Sequence, residues 1–68
     1  MNESELIDML IAARKATGLS QREITRRLGT SSASMSLWEW RINSPTLQHL
    51  VEWAAVLGYT LTLEVDVL

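Results

Sequence analysis

Apolar and polar positions along this chain fall into four stretches with helical spacing, followed by one stretch that alternates. Leu6, Leu10 and Ala13 recur at helical spacing and predict a first helix from about Ser4 to Thr17. Asn2 and Glu5 have the spacing of an N-cap and its reciprocal carboxylate, and Gly18 closes the helix. Ile7, Met9 and Ile11 widen its apolar surface beyond the arc that a single core covers, so another surface is expected to lie over it. Ser20-Gln21-Arg22-Glu23 is a capping box that opens a second helix, running to about Leu28 with Ile24 and Leu28 inward. Gly29 ends it, and Ser31 can cap the next. The third helix, about Ser32 to Trp40, buries Met35 and Trp38 and presents Ser32, Ala33, Ser36 and Leu37.

Arg41 to Pro45 reads as a loop, and Thr46 caps a fourth helix from about Leu47 to Leu57, closed by Gly58. Its core candidates are Leu47, Leu50, Trp53, Ala54 and Leu57, while Val51 and Ala55 lie where a monomer ordinarily places charge. Beyond Gly58 the period drops to two: Tyr59, Leu61, Leu63, Val65 and Val67 alternate with Thr60, Thr62, Glu64 and Asp66. That pattern predicts a strand, yet the chain has no second strand to pair with it. Antiparallel pairing with the same strand of another copy, about a two-fold axis, would satisfy both. The expected architecture is mainly α, with residues 1–58 as the domain and 59–68 as its dimerisation strand.

Charge changes the picture of what such a domain meets. The net charge is −2, which by itself disfavours a polyanionic partner. All six basic residues, however, fall between positions 14 and 41 (Arg14, Lys15, Arg22, Arg26, Arg27, Arg41) with only Glu23 and Glu39 among them, so that segment carries +4. The remaining acids lie on either side, and the chain is polarised rather than neutral.

Chemistry beyond binding finds no support in the residue types. There is no cysteine and a single histidine, His49, so neither a disulfide framework nor a zinc site is expected, and the absence of cysteine fits a reducing cytoplasm. His49 reads as an exposed helix residue. Ser20, Ser31 and Thr46 read as caps with no base to activate them, and no catalytic site, metal or cofactor is expected. The first apolar stretch, interrupted by Asp8, resembles neither a signal peptide nor a membrane span.

The run Gly18-Leu-Ser-Gln-Arg-Glu-Ile-Thr-Arg-Arg-Leu-Gly29, then Ser31, Trp38-Glu39, Ser44-Pro45-Thr46-Leu47 and Ala54-x-x-Leu57-Gly58, resembles the phage Cro/C1-type helix-turn-helix family. The resemblance implies a four-helix, lambda-repressor-like domain that acts as a homodimeric transcriptional repressor on double-stranded DNA. It makes Leu19–Leu28 the helix that crosses the phosphate backbone and Ser32–Trp40 the recognition helix in the major groove. It places Gln21 at a phosphate-bonding position and makes Arg14 and Glu39 a partly buried structural ion pair. Arg22, Arg26, Arg27 and Arg41 are then the cations left for phosphate, solvated charge being the alternative for Arg26 and Arg27. With Ser31, Ser32, Ala33, Ser36 and Leu37 they complete the expected DNA-binding set.

The chain also departs from the family pattern. Position 37, frequently Arg, Lys or Gln, is Leu; position 40 is Trp; and Arg41 replaces the usual glycine. Bidentate reading of guanine is not expected from such a face, whereas Ala33 and Leu37 suit thymine methyls. Trp40 is left three roles: packing on Ile42, stacking near the sugar-phosphate, or facing a partner. The C-terminal strand resembles the HipB-like antitoxin branch. That branch adds a toxin to the partners and a second reading, an interaction module whose main partner is a toxin or another regulator.

Overall fold

A computed structural model describes residues 1–63, which form four helices: α1 (Glu3–Thr17), α2 (Gln21–Leu28), α3 (Ser32–Glu39) and α4 (Leu47–Val56). Each starts where a polar side chain replaces the missing intrahelical acceptor. The Asn2, Ser20, Ser31 and Thr46 oxygens accept from the amides of Glu5, Glu23, Ser34 and His49 at 2.8, 3.1, 3.1 and 3.1 Å. The capping box at Ser20 is formed only in its first half. The Glu23 carboxylate turns to Arg26 and Arg27 instead of returning to the cap. Between α2 and α3, Gly29 takes the left-handed conformation at φ 70°, so the chain reverses within two residues and the two short helices cross.

Ile7 and Leu10 of α1, Ile24 of α2, Met35 and Trp38 of α3, and Leu50, Trp53 and Ala54 of α4, with Leu57 after it, make the core. Trp53 is fully buried at its centre, with the Trp38 ring tilted against it at 6.3 Å. The pattern of apolar residues anticipated most of this set and misjudged the rotation of α1. Its buried residues are Ile7 and Leu10, at i and i+3, with Leu6, Ala13 and Arg14 half-buried. Ile7 shares the side of α1 from which Arg14, seven residues on, reaches Glu39 of α3.

Leu47 is a second correction. It is 74% exposed rather than core, because it opens α4 one turn before the first residue that another helix covers. Thr25, which the apolar pattern passes over, is buried and donates its hydroxyl to the Arg22 carbonyl at 3.0 Å. His49 is not exposed but half-buried, its ring 4.8 Å from that of Trp38.

After α4, the Tyr59 amide bonds back to the Ala54 carbonyl at 2.8 Å. The chain then passes α1, with Leu61 packed against the core. Among the described residues there is no strand: Tyr59–Leu63 carries no ladder. A ladder requires a second strand, which a single chain of four helices does not supply. Val65 and Val67, the rest of the expected dimerisation strand, lie outside the described residues.

Candidate nucleic-acid interface

The α2–turn–α3 unit presents one side of α3 outward. Met35 and Trp38 face the core, which leaves Ala33 and Leu37, four residues apart, on the opposite face together with Trp40, which ends the helix. Ser32 and Ala33 are exposed at the N-terminal end, Leu37 is half-buried, and Trp40 is 70% exposed. No charged side chain shares that face. Ser31 is occupied as the cap of α3, and its hydroxyl also donates to that of Ser34 at 3.0 Å.

A polar network lies at the other end of α3, where three helices meet. Arg14 of α1 grips Glu39 with two parallel bonds, Nε to Oε2 at 3.1 Å and Nη2 to Oε1 at 3.2 Å, and its Nη1 donates to the Leu19 carbonyl at 3.4 Å. The two side chains are 15% and 9% exposed, and the fork geometry satisfies both carboxylate oxygens. Gln21 joins them: its Nε2 donates to Glu39 Oε1 at 2.9 Å, and its Oε1 accepts from the Ser36 hydroxyl at 3.2 Å. Gln21 and Ser36, both expected to face DNA, are thus bonded to each other within the domain.

The expected cations are distributed unevenly. Arg22 is exposed and has no ion-pair partner among the described residues. Arg26 and Arg27 both bond Glu23, at 2.6 and 3.2 Å, while remaining exposed to solvent. The hydrogen bonds from Arg26, first, and then its charge and the hydrogen bond and charge of Arg27 hold the Glu23 carboxyl below its ordinary value, against an opposing effect of desolvation that only the Arg26 hydrogen bonds exceed. Arg41 sits in the left-handed region at φ 62°, a conformation that normally favours glycine. Its guanidinium reaches back across the fold to the Asp8 carboxylate, to the Ser4 carbonyl at 3.2 Å and to the Glu39 carbonyl. Ser44 fastens the same loop by donating to Glu3 at 2.8 Å. Sequence reasoning placed Arg41 with the phosphate contacts and missed Ser4, Asp8 and Glu3. Contacts between residues more than thirty positions apart leave no local signal.

On another part of the molecule, two apolar grooves of about 530 and 560 Å³ run either side of the Tyr59–Leu63 segment. The first is lined by Met9, Ala12, Ala16 and Tyr59 among others, the second by Met1, Leu47, Val51 and Leu63. Among the described residues no group of three or more His, Asp or Glu could hold a metal ion, and no helix is long and apolar enough to cross a membrane.

The geometry is that of two short crossed helices, the second with an open outer face, on a scaffold of two more. Comparison with curated proteins and with solved structures returns no match. A family model described as helix-turn-helix matches residues 10–63, which is most of the chain and includes both crossed helices. The chain belongs to the Cro/C1-type helix-turn-helix family and is a sequence-specific DNA-binding regulator.

Proposed function

We propose that the protein is a transcriptional repressor that binds a palindromic operator as a homodimer, with α3 in the major groove. The observation that carries the reading is the outer face of α3. It is open and uncharged, with Ser32 and Ala33 exposed and Leu37 beside them, next to a helix that bears the exposed Arg22. On a groove floor, Ala33 and Leu37 fit thymine methyls, and Ser32 can bond to either base type. Arg22 supplies phosphate contact, and Arg26 and Arg27 add to it by exchanging Glu23 for phosphate. Specificity from so few direct contacts comes in large part from two half-sites at fixed spacing and from DNA shape.

Homodimer formation is supported by the placement of exposed apolar residues. Among the described residues, six of the eight large ones, Met1, Met9, Leu47, Val51, Tyr59 and Leu63, line the two grooves beside the expected dimerisation segment. The same grooves support the second reading, in which a toxin or another regulator occupies them.

Selection from a random duplex pool at two salt concentrations tests the function. A two-fold related, A·T-containing sequence whose binding weakens with salt is the expected product. A pool that yields no symmetric sequence sinks the palindrome. Sedimentation of the purified protein separates the readings: a dimer supports the homodimeric repressor, and a monomer favours the partner-binding module.

A further inference from the structure

Two of the large exposed apolar side chains, Trp40 and Ile42, line neither groove and stand where α3 runs into the loop before α4. Trp40 is 70% exposed and Ile42 64%, so packing on each other, the first role open to Trp40, leaves most of both in water. An exposed aromatic carries little weight by itself; its place on α3 does. Trp40 ends the helix with near-helical dihedrals, φ −85° and ψ −1°. Ala33, Leu37 and Trp40 therefore fall at i, i+4 and i+7, on the side turned away from buried Met35 and Trp38.

The backbone beneath the ring is fastened. The Trp40 amide donates to the Ser36 carbonyl at 2.9 Å, and the amides of Arg41 and Ile42 donate to the carbonyls of Trp38 and Leu37 at 3.1 and 2.9 Å. Arg41 directs its charge away to Ser4 and Asp8 of α1. Seven residues at about 1.5 Å each set Trp40 about 10 Å beyond Ala33 along the helix. The first turn of a recognition helix reaches base edges, on the floor of a groove about 12 Å wide. A side chain about 10 Å further on meets the wall of that groove, where a strand presents deoxyribose carbons and phosphate oxygens. An indole suits both, with a flat apolar ring and an N–H that can only donate.

We propose that Trp40 is a DNA-backbone contact: its ring packs on a deoxyribose of the strand that walls the major groove, and its N–H donates to the adjacent phosphate. The proposal rests on the DNA-binding reading above and deepens it, giving α3 an anchor without charge. An uncharged group releases no counterion, so the contact adds affinity without adding salt dependence. Sugar and phosphate are alike at every position, so it adds that affinity to all sequences. The first consequence separates Trp40 from Arg22, Arg26 and Arg27, and the second from base reading by Ala33 and Leu37.

Fluorescence of the full chain tests the contact without any substitution. Trp38 and Trp53 are 6% and 0% exposed, so quenching by acrylamide, a neutral probe that DNA charge does not repel, reads chiefly Trp40. A saturating duplex recovered by selection is expected to reduce that quenching severalfold, and Trp40→Phe is expected to quench little with or without duplex. A ring as open to acrylamide on the duplex as off it overturns the proposal. Protection that grows with protein concentration in the absence of duplex overturns it too, by placing the ring against another protein.

Titration over a range of salt then identifies what the ring touches. Trp40→Ala is expected to weaken the selected duplex and a scrambled duplex of equal length by the same factor, roughly three- to thirtyfold, with the salt slope unchanged. Trp40→Arg is expected to regain affinity at low salt and to steepen the slope by about 0.9. A loss confined to the selected duplex, or one that vanishes when its thymines become uracil, shows base reading and overturns the backbone contact. An alanine variant that binds as tightly as wild type, or an arginine variant with an unaltered slope, overturns it as well. A wild-type chain that binds neither duplex defeats the DNA-binding reading itself. A wild-type chain that binds with Trp40 unprotected defeats only this inference.

Discussion

The strongest single constraint at the scale of the residue is the Arg14–Glu39 pair, since both groups are mostly shielded from water and each is the other's principal partner. Removing one member leaves the other charged and poorly solvated, which costs about 3 kcal/mol in comparable sites. Arg14→Ala and Glu39→Ala should each lower the denaturation midpoint by an amount of that order, and the double variant should be less unstable than the two losses added. Full additivity in urea melts would mean that the pair contributes nothing as a pair.

Glu23 makes a weaker and more exposed pair, and its value is diagnostic rather than stabilising. Its carboxyl is held below the ordinary range, first by the hydrogen bonds from Arg26. A depressed folded-state value means a small stabilisation that is present at neutral pH and lost as pH falls through that value. Carboxyl chemical shifts followed against pH should place the Glu23 midpoint below that of an unpaired glutamate, and Arg26→Gln should return it toward the ordinary value. A midpoint indifferent to Arg26 would remove the basis for phosphate exchange at this site.

For the individual elements, what the sequence made legible follows from how local each cause is. Caps and helix-ending glycines act over three or four residues, and Asn2, Ser20, Ser31, Thr46, Gly18 and Gly29 stand where the helices begin and end. Rotation about a helix axis is set by partners far along the chain, and there the reading failed. The resemblance to the family implied the Arg14–Glu39 pair, but the apolar pattern around Ile7 did not place Ile7 on the same side as Arg14, and nothing near Arg41 announces Asp8. The candidate interface divides in the same way. The outer face of α3 follows from its own periodicity, but the Gln21–Ser36 bond joins residues fifteen positions apart and alters what that face can offer.

The face that remains makes a prediction for the recognition helix alone. If Ala33 and Leu37 meet thymine methyls, replacing those thymines with uracil removes one methyl each while every hydrogen-bonding group stays in place. A buried methyl is worth about 0.8 kcal/mol, so each replacement at a contacted position should weaken binding by roughly fourfold. Leu37→Ala should abolish that sensitivity at its own position. A duplex in which uracil substitutes everywhere without loss would exclude apolar base reading by α3.

The whole molecule has two candidate functional faces, and a homodimer is what would couple them. α3 offers few direct contacts, so one subunit on one half-site should bind weakly. Two subunits held at a fixed distance convert the second contact into an intramolecular event, with gains on the order of 10²–10⁴ in affinity when the geometry allows both to engage. The apolar grooves beside Tyr59–Leu63 are the surface on which that coupling would depend. Val51 and Tyr59 are both exposed there, so Val51→Lys or Tyr59→Lys should leave the core and the melting profile of the subunit nearly intact while separating the subunits in sedimentation.

The same variants should lose most of the affinity for a full palindrome and little of that for an isolated half-site. Inserting five base pairs between half-sites turns one by about half a helical turn. That insertion should cost the wild-type protein as much as the lysine substitutions do, and cost the lysine variants nothing further. Lysine variants that remain dimeric, or a wild-type protein indifferent to the insertion, would detach DNA binding from these grooves and leave them to another protein.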